Sequence, residues 1–168
     1  NLSIRSFISR GQEKVIGSRD GLFYINEATG MVKSFVKPVL TSDLILTISF
    51  YQGEYYIGTY GGGMMVLNPE TLSLKYFSQS DTELFQKGHI FCVKPDTKGN
   101  LWIGTSQGLF NYNGQTKQIK HFTSANSQLP EGNVYEVSFD STGKGWIATE
   151  TGMCIYDPAS QNLRSNVF

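Results

Sequence analysis

Apolar and polar positions along this chain alternate in short runs, and the same arrangement of runs returns four times. It reads Lys14-Val-Ile-Gly-Ser-Arg-Asp-Gly-Leu-Phe-Tyr-Ile-Asn26 first and Tyr55-Tyr-Ile-Gly-Thr-Tyr-Gly-Gly-Gly-Met-Met-Val-Leu-Asn68 second. Asn100-Leu-Trp-Ile-Gly-Thr-Ser-Gln-Gly-Leu-Phe-Asn-Tyr-Asn113 and Gly145-Trp-Ile-Ala-Thr-Glu-Thr-Gly-Met-Cys-Ile-Tyr-Asp157 follow. Each reads as a strand, a tight turn ending in glycine, and a second strand. The small residue after the shared isoleucine is Gly17, Gly58, Gly104 and Ala148, with steps of 41, 46 and 44 residues. A strand-rich period in the low forties points to β-propeller blades, because one such unit cannot bury both faces without neighbours. The expected class is therefore all-β, a propeller fragment of about four four-stranded antiparallel blades.

Within each unit the pattern gives four strands, here lettered A to D. Strand A is Ile4-Arg-Ser-Phe-Ile8, Ile45-Leu-Thr-Ile-Ser-Phe50, Ile90-Phe-Cys-Val-Lys94 and Val134-Tyr-Glu-Val-Ser-Phe139. Its turns into B carry Gly11, Gly53, Gly99 and Gly143, residues that accept positive φ. The B strand holds Val15, Tyr56, Trp102 and Trp146 at one position, each placed to pack across the gap to an adjacent blade. The following small residue implies close approach of that neighbour. Ser18, Thr59, Thr105 and Thr149 come next, each able to bond locally at the B–C turn. Fourteen residues after Gly21, Gly63 and Gly108 stand Phe35, Phe77 and Phe122; in the fourth unit the count lands on Asn166, with Phe168 beyond. C–D turns open with Asn26, Asn68, Asn113 and Asp157. Expected blade boundaries are 1–37, 38–80, 81–124 and 125–168, in one fragment with no helix of useful length.

Composition narrows the functional classes. Of 168 residues only 17% are charged while 13% are aromatic, and 14 basic side chains balance 14 acidic ones. No basic stripe exists for a nucleic acid. The most apolar run, Leu44 to Tyr51, is far short of the ~20 residues that a membrane helix needs, so direct membrane insertion is not expected. Asn1-Leu-Ser-Ile-Arg5 reads as strand rather than leader and no Met begins the chain, so it is expected to be cut from something longer. Cys92 and Cys154 occupy different strand positions, and both are expected as packed apolar residues rather than a bridge.

Candidate chemistry is sparse. His89 and His121 lie in different repeats without Cys or carboxylates at metal-ligand spacing, so neither a metal nor a cofactor is expected. The Asp96–Trp102 stretch misses the spacing of a sialidase Asp-box by one residue and reads as a hairpin turn. The run Tyr60-Gly-Gly-Gly63 joins two strands, whereas a phosphate loop needs a helix N-terminus behind it. More informative are the B–C turns, which differ in every repeat and share one face with the D–A links. That face supplies the candidate ligand residues Arg19, Asp20, Tyr60, His89, Gln107, Asn133 and Glu150. Aromatic, amide and charged groups together suit a sugar, although exposed turns also vary freely.

The segment Leu101-Trp-Ile-Gly-Thr-Ser-Gln-Gly-Leu109, preceded by Asp96 and Gly99, resembles the repeat called the two-component regulator propeller. Asn126-Ser-Gln-Leu-Pro-Glu-Gly-Asn-Val134 is similar to that family's blade-linking loop. The resemblance extends over the chain, strongest in the third and fourth units, with Val15, Tyr56, Ser18 and Ala148 as departures. It implies a seven-bladed parent in the periplasmic sensor region of a hybrid two-component histidine kinase, mostly of gut Bacteroidetes. It further implies oligosaccharide ligands and a kinase lying elsewhere, so this fragment is expected to be non-enzymatic. A protein–protein scaffold, and a propeller lyase or glycosidase, stand as alternatives. Expected partners are an oligosaccharide, the parent's other blades and a second copy of the fragment. Four blades of seven leave apolar end faces, so an open arc that self-associates is expected, with Trp102 and Trp146 largely buried.

Overall fold

A computed structural model describes residues 3–78 and 83–166. Sixteen strands form four separate antiparallel sheets, each taking its strands in chain order. The first sheet joins β1 (Ile4–Arg10), β2 (Glu13–Ser18), β3 (Leu22–Asn26) and β4 (Met31–Phe35). The second joins β5 (Ile45–Tyr51), β6 (Glu54–Thr59), β7 (Met64–Leu67) and β8 (Leu74–Tyr76). The third holds β9 (Ile90–Pro95), β10 (Asn100–Thr105), β11 (Gly108–Asn113) and β12 (Ile119–Phe122). The fourth holds β13 (Val134–Phe139), β14 (Gly145–Thr149), β15 (Met153–Asp157) and β16 (Asn162–Asn166). The described residues are all-β apart from one turn of helix, α1 (Leu84–Lys87), which the strand pattern did not reveal. The Phe168 position lies outside the described residues.

Turn chemistry sets these hairpins. The side-chain oxygens of Asn26, Asn68, Asn113 and Asp157 each accept from the backbone N–H two residues on, fixing the C–D turns. Gly99 and Gly143 sit at φ +80° and +81° in the A–B turns, a region costly for other residues. There Asp96 and Asp140 each accept backbone N–H groups from two and four residues ahead.

Two compact units divide the chain, residues 1–90 and 91–168. In the first, Val15, Leu22, Tyr24, Ile45, Tyr55, Ile57 and Met65 form one buried cluster. Glu13 crosses between its two sheets, accepting from the hydroxyls of Tyr24 (2.6 Å) and Tyr55 (2.7 Å). Burial and that carboxylate hold the Tyr55 phenol well above its ordinary pKa. In the second unit, Cys92, Trp102, Leu109, Val134, Val137, Ile147 and Cys154 form the core. The small residue after the shared isoleucine does meet a neighbouring sheet in both units. A β-carbon on Gly17 would collide with Ile45, and one on Gly104 would lie 2.6 Å from the Val134 carbonyl oxygen. Ala148 is exposed, so nothing excludes its methyl.

One expectation fails on the same face. Trp102 is 1% exposed but Trp146, its equivalent, is 39% exposed. Trp102 lies against Phe139 and Tyr156 of the following sheet at ring-centroid distances of 5.9 and 4.5 Å. Trp146 lies on β14 of the fourth sheet and stays partly exposed. Its position in the repeat therefore fixes its strand and facing but not its burial.

Candidate functional site

The B–C turns share one internal brace. The hydroxyls of Ser18, Thr59, Thr105 and Thr149 donate to the carbonyls of Gly21, Gly63, Gly108 and Gly152 at 2.8 to 3.0 Å. The sequence therefore spends one hydroxyl per turn on closing it. Backbone bonds then tie three of these tips to the segment leading into strand A: Arg19 N–H to Ser3, Tyr60 N–H to Leu44 and Glu150 N–H to Asn133. In each of these sheets the B–C turn and the approach to strand A thus lie together.

In the first unit, Arg19 and Asp20 are exposed, and the Asp20 N–H donates to the Ser18 hydroxyl at 3.0 Å. Tyr60 and His89 come together: their rings lie 4.0 Å apart, tilted by 31°, and Tyr60 is 51% exposed. The D–A link frames this pair, with Thr41 Oγ1 donating to the Gly62 carbonyl (2.6 Å) and Ser42 Oγ to that of Tyr60 (2.9 Å). Gly61, at φ +81°, lies beside the imidazole, where an added β-carbon would still clear it at 3.7 Å. The result is an exposed aromatic platform on a braced backbone.

In the second unit, Gln107 is exposed and its carbonyl oxygen lies 2.7 Å from Nε2 of His121. His121 stacks on Phe110 at 3.9 Å, which makes it a held surface histidine. Asn133 and Glu150 meet directly, the Asn133 N–H donating to a Glu150 carboxylate oxygen at 3.3 Å. Asn133 Nδ2 also donates to the Tyr135 hydroxyl at 3.0 Å, and Thr151 Oγ1 to the Glu131 carbonyl at 2.6 Å. A shallow cleft of about 210 Å³ runs from Ser106 and Gln107 to Pro130 and Gly132. Its wall is mostly backbone and small polar groups, suited to hydroxyl-bearing ligands. Thr41, Ser42 and Tyr135 join these clusters and were missed in the sequence: the first two because D–A links vary in length and do not align, Tyr135 because it reads as an ordinary strand A residue.

The two cysteines are free and buried, and burial pushes both thiols up to about 12. Among the described residues no group of three or more His, Cys, Asp or Glu is placed to hold a metal ion. No described helix is long and apolar enough to cross a membrane.

The fold so defined is that of propeller blades, and known structures match it over nearly the full chain. The extracellular domain of a protein described as a hybrid two-component system of Bacteroides thetaiotaomicron matches 98% of this chain at 24% identity and a TM-score of 0.82. A second such extracellular domain from that organism matches 99% at 20% identity and a TM-score of 0.80. This chain spans only 23% and 22% of their respective lengths. A computationally designed protein, Ika4, matches 92% of this chain and is itself covered to 90%, at 14% identity and a TM-score of 0.66. Among curated proteins none matches. Residues 85–107, which include β9 and β10 of the third sheet, match the family model of the two-component regulator propeller.

Proposed function

We propose that this chain is part of the extracytoplasmic, periplasmic sensing region of a hybrid two-component system, non-enzymatic itself, and that it contributes to recognition of a glycan-derived oligosaccharide. Support for the sensor role comes from the regulator-propeller match at residues 85–107 and from the extracellular domains that share the fold. The observation that carries the ligand class is the Tyr60–His89 pair, an exposed aromatic surface of the kind on which a sugar ring stacks. The Gln107 side chain and the cleft beside it offer hydrogen-bonding groups in the second unit. Binding changes signalling only if the ligand favours one of two states of the parent. The test is made in the intact parent receptor with Tyr60→Ala and Gln107→Ala, each confirmed folded by circular dichroism. Glycan-induced output should fall with loss of ligand affinity, and unchanged affinity and output in both variants would remove these turns from recognition.

A second reading, self-association of the chain, is favoured by a separate observation. Ile4 and Phe7 of β1 are each 58% exposed, Val32 of β4 is 68% exposed, and Trp146 is 39% exposed. These residues are equivalent to ones that lie buried at sheet–sheet contacts elsewhere in the chain, such as Val134, Val137, Leu163 and Trp102. Apolar sheet faces of this kind favour pairing with another blade, from a second copy or from the parent. Light scattering across a dilution series should show mass rising with concentration, and a constant monomer mass would rule self-association out.

A further inference from the structure

The strands of the second unit enclose a cleft that the B–C turns do not border. It has a volume of about 320 Å³, within the range of small-ligand sites, and opens where the A–B and C–D turns of the third and fourth sheets lie. Trp102 forms its floor, stacked with Phe122 at 6.0 Å and 13°, and the half-buried rings of Phe122 and Tyr156 form its walls. Lys98 and Lys120 stand at its rim, and its lining contains no carboxylate.

One residue in this cleft breaks the repeat. Asn111 pairs across the sheet with Trp102 on one side and Lys120 on the other. The corresponding positions in the other sheets are Tyr24, Val66 and Ile155. Asn111 thus places an amide where the fold accepts an apolar side chain, and its Nδ2 is buried with no hydrogen-bond partner. An unsatisfied buried donor is destabilising, so packing alone does not account for it. Several polar groups around it are bonded to one another instead. Asp96 accepts from Trp102 Nε1 and from Asn100 Nδ2, as well as from the Lys98 and Asn100 backbone, and Asn113 Nδ2 donates to Asn100.

We propose that this cleft binds a single pyranose bearing a carboxylate, a hexuronate. The aromatic walls fit the C–H face of a sugar ring, and a rotation of the Asn111 side chain, whose Nδ2 is closed off as it stands, brings that donor to a ring hydroxyl. Lys98 and Lys120, which now donate to the Pro158 carbonyl (3.3 Å) and to Gln161 Oε1 (3.4 Å), meet the carboxylate at the rim. With two lysines at the rim and no carboxylate among the lining residues, the cleft favours a ligand that brings a negative charge. This site is separate from the B–C turns, so it stands or falls independently of the function proposed above.

The experiment uses the 168-residue chain, isotopically labelled, titrated with D-glucuronate, D-galacturonate and D-glucose while the Asn111 amide and Trp102 indole resonances are followed. One or both uronates should give saturating shifts at those two groups at concentrations up to about 20 mM, with glucose weaker. Lys98→Ala/Lys120→Ala should weaken uronate binding about three- to tenfold. Asn111→Ile, which restores the residue type of the fourth sheet, should stay folded, unfold at higher temperature and lose the shifts. Equal binding of glucose, unchanged binding in Asn111→Ile, or no shift with any of the three probes in the folded chain would overturn the proposal. In the last case the cleft holds only water.

Discussion

Trp102 and Trp146 occupy one position of the repeat, so replacing each by alanine isolates what a neighbouring sheet contributes. Trp102 is 1% and Trp146 39% exposed. A tryptophan buries on the order of 200 Å², worth about 5 kcal/mol when fully covered at ~25 cal/mol per Å². The same arithmetic gives Trp146 about 3 kcal/mol, and both are upper bounds because the unfolded chain is not fully extended. One further effect falls on Trp102 alone, the cavity that its removal leaves between Phe122, Phe139 and Tyr156. The 2.9 Å bond from its Nε1 to Asp96 does not set it apart, because Trp146 also bonds the aspartate of its own A–B turn, Asp140. Trp102→Ala should therefore cost about 3–5 kcal/mol, and Trp146→Ala at least about 2 kcal/mol less. Against a typical domain stability of ~5–15 kcal/mol the first is severe. Urea unfolding followed by far-ultraviolet circular dichroism, at one low protein concentration, measures both. Equal costs in dilute solution would refute the assignment of Trp102's burial to the following sheet.

Other outcomes follow from the same contacts. Gly104→Ala should destabilise by about 1–3 kcal/mol, since the new β-carbon meets the Val134 carbonyl oxygen and Cys92 Sγ at 2.6 Å; Ala148→Gly should change stability little beyond its backbone entropy, and denaturant melts compare them. Cys92 and Cys154, with thiols pushed up to about 12 by burial, should resist a thiol reagent at neutral pH until the chain opens; rapid modification of the native protein would contradict this. The Asp140 carboxyl is held below its ordinary pKa chiefly by the Thr142 hydroxyl, and that of Asp157 chiefly by the Ala159 N–H. A lowered folded-state pKa contributes stability that is present above the ordinary carboxylate value and is lost as pH falls through the lowered one. Thr142→Ala should accordingly raise the Asp140 pKa in a carboxyl NMR titration, and no change would break the assignment.

Sequence alone determined the strands, their order within each sheet and the chemistry of the turns. These are local matters: a period-two pattern, an Asn or Asp that accepts the N–H two residues on, a hydroxyl that closes the next turn. Four repeats let each position be read against its equivalents, which is how the threonine brace and the close glycine contacts became visible. The candidate turn residues could be placed on their tips for the same reason. Only the tertiary structure decided which of them meet. Tyr60 and His89 are 29 positions apart in the chain yet stack at 4.0 Å, and Asn133 joins Glu150 through a link whose length differs in every repeat. It also decided burial. Trp102 and Trp146 share a motif, but the burial of an inter-sheet side chain belongs to the sheet that covers it, and that sheet lies some forty residues away. Asn111 makes the same point in reverse. Its letter is an ordinary polar residue in a strand, and only its burial beside the cross-strand Trp102 turns its amide into an unsatisfied donor.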